Sequence, residues 1–192
     1  MSFFDNNQNV GLALIVIGLI NLIAGIVSAA WEHTGSSIAY GIGSVITGIL
    51  ILLYGIKVRN GSNDKVAIVS GLVGTIGLAT ILSAIFNAIG AYTASDDVTL
   101  VAAIGAVILS IIIGLIYLWV ASKIAGANKN VISKIVWVLL LIVSVLGAIG
   151  SLIGAISGNP IAIITGLAWF VVYVYVLIAA LSNEVKSSMG VN

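Results

Sequence analysis

The chain has 192 residues, 61% hydrophobic and only 7% charged, with a net charge of +1 and a mean hydropathy of +1.28. Soluble domains carry about a quarter charged residues, so this composition excludes a soluble enzyme, a disordered tail and an electrostatic nucleic-acid binder. It defines an integral membrane protein of a single domain, residues 1–192, whose first partner is the lipid bilayer. The absence of cysteine removes disulfides, thiolate nucleophiles and iron–sulfur ligation. The single histidine, His33, removes a bis-histidine haem and a zinc site with several His ligands. No cofactor and no resident metal are expected.

A spanning helix needs about 20 apolar residues, because the hydrocarbon core is about 30 Å thick. Six runs meet this, and none contains Asp, Glu, Lys or Arg. Helix is the expected form, since only a helix satisfies its own backbone in lipid. The first run is Val10 to Ala30. Its Ser28-Ala29-Ala30 has the look of a signal-peptide cleavage site, but no basic residue precedes the run and its apolar length exceeds the usual signal, so a retained helix is expected. Gly11, Gly18 and Gly25 recur at a seven-residue step, as do Gly41, Gly48 and Gly55 in the second run, Ile38 to Ile56. That step keeps small residues on one face of a left-handed helix pair and lets backbones approach.

The third run, Val66 to Ala91, holds Ser70, Thr75, Thr80, Ser83 and Asn87. Asn87 and Asn21 of the first run are the costliest residues to leave unpaired in hydrocarbon. Each should face another helix or a wet cavity. Interhelical hydrogen bonding is the simplest use; a polar solute site is the other. Gly71-Leu-Val-Gly74 is no phosphate loop, since it lies within an apolar run and no strand precedes it. The fourth run, Val98 to Ala121, carries Ala102, Ala106, Ser110 and Gly114 at four-residue steps. The fifth, Ile135 to Ile156, leads into a ladder of Gly150, Gly154 and Gly158, also expected to pack. The sixth, Ile161 to Leu181, places Trp169, Phe170, Tyr173 and Tyr175 in its middle, suited to packing or, alternatively, to a ligand-stacking wall.

All seven basic residues fall on one side of this six-span topology: Lys57, Arg59 and Lys65 after the second run, Lys123, Lys129 and Lys134 after the fourth, Lys186 after the sixth. The opposite side carries Glu32, His33, Asp96 and Asp97. The positive-inside rule makes the basic side cytoplasmic, with both termini inside a plasma membrane. The acidic cluster could in principle hold a divalent cation or, through His33, sense pH, but solvation of two short loops explains it equally. The basic loops explain themselves as topology signals, with contact to anionic lipid as a further use.

The chain also divides into three units of about 64 residues, each helix, tip, helix and basic segment. Their bounds are 1–64, 65–130 and 131–192. Two helices per unit give every unit the same orientation, hence three parallel hairpin repeats. Gly11-Leu-Ala-Leu-Ile-Val-Ile-Gly-Leu-Ile-Asn-Leu-Ile-Ala-Gly25 and Ile42-Gly-Ser-Val-Ile-Thr-Gly-Ile-Leu-Ile-Leu-Leu-Tyr-Gly-Ile56 resemble the HdeD-like family of small membrane proteins built from repeated two-helix units. That family often carries proline at its hairpin tips, where this chain has only Pro160. The resemblance implies a non-enzymatic, stress-related membrane role and supplies no catalytic residue.

With no ionisable group inside the runs, a proton relay or intramembrane catalysis is not expected. The expected function is that of a non-catalytic polytopic membrane protein, a structural or accessory subunit that meets other membrane subunits or a second copy of itself. The alternative is a small-solute transport or substrate-capture module built around Asn21, Asn87 and the hydroxyl residues.

Overall fold

The computed structural model describes residues 6–61, 64–156 and 158–191, with the side chain of Glu32 outside that description. The described residues form α1 (Asn7–Glu32), α2 (Gly35–Asn60), α3 (Lys65–Ala94), α4 (Leu100–Ala125), α5 (Val131–Ile156), α6 (Pro160–Ala180) and the short α7 (Asn183–Ser188). No strand occurs among them. Helices α1 to α6 are all long and apolar enough to cross a membrane.

The polar residues between the apolar runs start the helices. Side-chain oxygens of Asn6, Thr34, Asp64, Thr99 and Asn159 each accept a first-turn backbone N–H, and Asn130 does the same for Ser133 at 2.8 Å. Such caps satisfy donors that have no partner within the helix. Pro160 stands in the first turn of α6, where its missing N–H costs nothing. Several helices therefore begin or end about a turn beyond the hydrophobic runs.

Helix α1 packs antiparallel on α2 in a register set by glycine. Gly11 faces Gly55, Gly18 faces Gly48, and Gly25 faces Gly41. A Cβ at Gly18 would lie 2.5 Å from the Leu52 backbone nitrogen, and one at Gly25 would lie 2.5 Å from the Gly41 carbonyl oxygen. Neither contact admits any side chain. Helix α3 is the central element: half of its most apolar stretch is buried, against 11% for α4. Tyr54 of α2 lies over Gly71 and donates its hydroxyl proton to the Ile68 carbonyl at 2.8 Å. Ser70 reaches from α3 to the Ala121 carbonyl of α4 at 2.9 Å.

Helices α5 and α6 pair with each other and close on α1 through α6, while α4 touches α5 only sparsely. Trp137 of α5 donates to the Ala180 carbonyl of α6 at 2.8 Å. Helix α7, too short and polar for hydropathy to reveal, folds under one end. Its Val185 and the following Met189 are fully buried, and Glu184 accepts the Lys65 backbone N–H at 2.8 Å. Gly190 adopts a left-handed φ of 72° against Lys129. These contacts gather the α2–α3 turn, the α4–α5 turn and α7 at one end, called here the lysine end. The α1–α2, α3–α4 and α5–α6 tips lie at the other, the histidine end.

Two glycine stripes depart from the packing expected of them. A Cβ at Gly150 or Gly154 would meet no atom within 4 Å, while one at Gly158 would strike only its own tip, at Ala162 and Gly154. The stripe on α4 faces outward at Ala102 and Ala106, and only Gly114 is buried, against Gly77. The outward small residues of α4 meet no neighbour because α5 touches that helix only sparsely, whereas Gly150 and Gly154 face an open groove between α5, α6 and α3.

Candidate solute groove between α3, α5 and α6

Where the third hairpin stands away from α2 and α3, a groove of about 550 Å³ opens. That lies within the range of ligand pockets, about 300–1,000 Å³. Helical periodicity builds its walls, because residues three, four and seven apart share a face. Helix α3 contributes Ile76, Thr80 and Ser83; α5 contributes Gly147, Gly150, Ser151 and Gly154; α6 contributes Ala162, Thr165, Gly166, Trp169 and Tyr173; α2 adds Thr47. The groove runs from Ile76 and Tyr173 at mid-depth toward the α5–α6 tip. Among the described residues no Asp, Glu, Lys, Arg or His lines it.

Four of the hydroxyl donors in this wall, and its indole, are committed. Thr80 donates to the Ile76 carbonyl at 2.9 Å, Ser83 to Ala79 at 2.7 Å, Ser151 to Ala148 at 2.9 Å, and Thr165 to Ile161 at 2.9 Å. The Trp169 indole N–H donates to Asn21 Oδ1 at 3.1 Å. A hydroxyl that has given away its proton retains lone pairs. The groove therefore offers oxygen acceptors and aromatic surface, in a setting that holds no compensating charge.

Asn21 is 2% exposed. Its amide also donates to the Ile17 carbonyl at 2.9 Å, so the side chain is held from its own helix and fixes Trp169 across α1 and α6. Trp169 in turn sits 6.0 Å from Tyr173, ring centre to ring centre, tilted by 37°. Tyr173 lies over Gly147 of α5. Of the sixth-run aromatics, Trp169 and Tyr173 face the groove, whereas Tyr175 is buried against α1.

Asn87 faces α2 but is far less enclosed than Asn21. It is exposed, one turn beyond Ser83 on the same face, with its amide nitrogen 3.5 Å from the Ser83 hydroxyl and its oxygen over Gly43 of α2. Gly43 has no side chain to cover it, which leaves the amide uncovered.

His33 ends α1 as its C-cap in the left-handed region, φ 51°, and is exposed; Asp96 and Asp97 are exposed in the α3–α4 turn. No three of His, Cys, Asp and Glu come together closely enough among the described residues to hold a metal ion. The sequence singled out Trp169, Tyr173 and the hydroxyls without joining them. The signal that joins them is the shared face of Thr80 and Ser83, of Gly147, Gly150, Ser151 and Gly154, and of Thr165, Trp169 and Tyr173.

No protein-family model matches this chain, no curated protein matches it, and no solved structure matches it.

Proposed function

We propose that this chain is a non-catalytic, multi-pass protein of the plasma membrane that captures a small uncharged solute in the groove between α3, α5 and α6. The observation that carries this is the wall itself: hydroxyls, glycine and tryptophan around about 550 Å³, with no carboxylate or basic group among the described residues. A buried charge on the solute would have no partner there, and would be expensive to place. The charge distribution supports cytoplasmic termini, which directs the groove toward the outside. The glycine recurrence supports a build of three parallel hairpin repeats of the HdeD-like kind.

Purification from native membranes under mild conditions, followed by mass spectrometry of what is retained, tests the proposal. A neutral small molecule is expected at one per chain, and it should be lost on Gly150→Leu. A second reading, an accessory subunit, rests on the open space beside Gly150 and Gly154. Small-residue faces accept a neighbouring helix. A stoichiometric protein partner displaced by Gly150→Leu, with no retained small molecule, would replace the first reading by the second.

A further inference from the structure

Resting on the solute reading, a second chamber identifies the class of molecule. Directly toward the lysine end lies an apolar space of about 230 Å³ between α3, α4, α5 and α6. It shares Ile76 and Tyr173 with the groove. On α5 the two follow one another without a gap, Leu139 to Ser144 for the chamber and Gly147 to Gly154 for the groove. At 1.5 Å per residue the two together run about 22 Å along the helix axis.

The two parts differ in chemistry. The groove carries acceptor oxygens whose own protons are committed. The chamber is lined mostly by aliphatic side chains, with Tyr117, Tyr173 and Ser144 among them, and its rim residues Ile113 and Ile116 are 40% and 51% exposed. That rim lies where α4 and α5 diverge, so the chamber opens sideways onto lipid. Tyr173 stands at the junction, over Gly147.

We infer that the natural occupant is an uncharged single-chain amphiphile with a hydroxyl-bearing head, of the monoacylglycerol type. Its head donates hydrogen bonds to the groove oxygens and its chain lies in the apolar chamber. A wall in which most hydroxyl protons are committed favours a donor head, and it gives a carboxylate, whose oxygens only accept, few donors and no basic side chain among the described residues. The lateral opening lets the chain enter from the bilayer.

The test is native mass spectrometry of the full chain released from detergent, titrated with 1-decanoylglycerol, decanoate or glycerol. A single saturable 1-decanoylglycerol adduct is expected, weakened at least tenfold by Gly150→Leu in the groove and by Val143→Trp in the chamber. Glycerol should bind more weakly and respond to Gly150→Leu alone, and decanoate should give no saturable adduct. Ile113→Trp enters the chamber from α4 and repeats the chamber test if Val143→Trp does not fold. If glycerol binds as tightly as 1-decanoylglycerol and both ignore the chamber variants, the amphiphile assignment fails while the groove reading stands. Decanoate binding equal to 1-decanoylglycerol would overturn the neutral donor head. Absence of any neutral adduct would overturn the groove reading as well.

Discussion

At the scale of single residues, Asn21 shows how an amide is housed in an apolar layer and what it then does. Its nitrogen is satisfied by the Ile17 carbonyl and its oxygen by Trp169, so little of the desolvation cost of a buried amide remains. What it secures is the orientation of an indole on the groove wall. Replacing Asn21 by Leu leaves the Trp169 N–H without its acceptor, which should destabilise the protein by about 1–3 kcal/mol. Trp169→Phe removes the donor instead. The double variant should recover part of the loss, with a coupling of about 0.6–1.7 kcal/mol, the range measured for hydrogen bonds between membrane helices. Equilibrium unfolding of the four proteins in mixed detergent measures it, and strictly additive losses would mean that the bond contributes nothing. Asn21→Leu should also weaken solute binding, since the indole is then free to turn. The sequence made Asn21 conspicuous because an amide is rare in a long apolar run, but the partner 148 residues away has no local signature.

At the scale of elements, glycine has two opposite uses in this chain. In α1 and α2 it is a contact surface: the seven-residue step keeps Gly18 against α2, with the Leu52 backbone where a Cβ would stand. In α5 it is an absence of side chain that keeps a groove open, since nothing lies within 4 Å of a Cβ at Gly150. The same substitution should therefore act in opposite directions. Gly18→Ala forces two backbones apart and should cost at least the 1–3 kcal/mol typical of overpacking. Gly150→Ala meets open space and should raise stability by up to about 1 kcal/mol, the helix-propensity gain of Ala over Gly. Thermal unfolding of both variants in one detergent decides it; equal losses would show that α5 packs as tightly as α1. The six long helices were legible because length and hydropathy alone specify a span. Which face of each helix meets a neighbour was not, because lipid is as apolar as the protein core and removes the inside–outside contrast on which patterning depends. Hence the α1 and α5 stripes looked alike in sequence, and α7, with only Val185 and Met189 to bury, left no mark on the hydropathy.

At the scale of the whole molecule, charge carries the information that hydropathy lacks. The last turn of α2 and the start of α3, the stretch from the last turn of α4 to the first turn of α5, and α7 hold every basic residue of the chain, and contacts such as Lys65 to Glu184 bring these segments to one end. The other end presents His33, Asp96 and Asp97. If insertion follows the basic segments, the lysine end is cytoplasmic and the groove, which runs toward the α5–α6 tip, draws its solute from outside. The chain has no cysteine, so single introduced thiols report without background. Asp97, Asn128 and Ser187 are all exposed; replacing Asn128 by Cys gives up only a 3.4 Å bond from the Ser133 hydroxyl, which keeps Asn130 as its acceptor at 3.1 Å. In intact cells a membrane-impermeant maleimide should label Asp97→Cys, whereas Asn128→Cys and Ser187→Cys should react only after permeabilisation. Labelling of Asn128→Cys and Ser187→Cys from outside, with Asp97→Cys protected, would invert the topology and make the groove a cytoplasmic site. Labelling of all three from outside would mean a mixed population. Exchanging charge should shift the orientation: Asp96→Lys with Asp97→Lys places basic residues on the second tip and reduces the asymmetry that the positive-inside rule acts on. That variant should lower the externally labelled fraction at Gly35→Cys, on the neighbouring tip, while Gly35→Cys in the otherwise unaltered chain stays fully labelled. The orientation of the groove and the charge of two short turns are thus one property, and a single labelling series measures both.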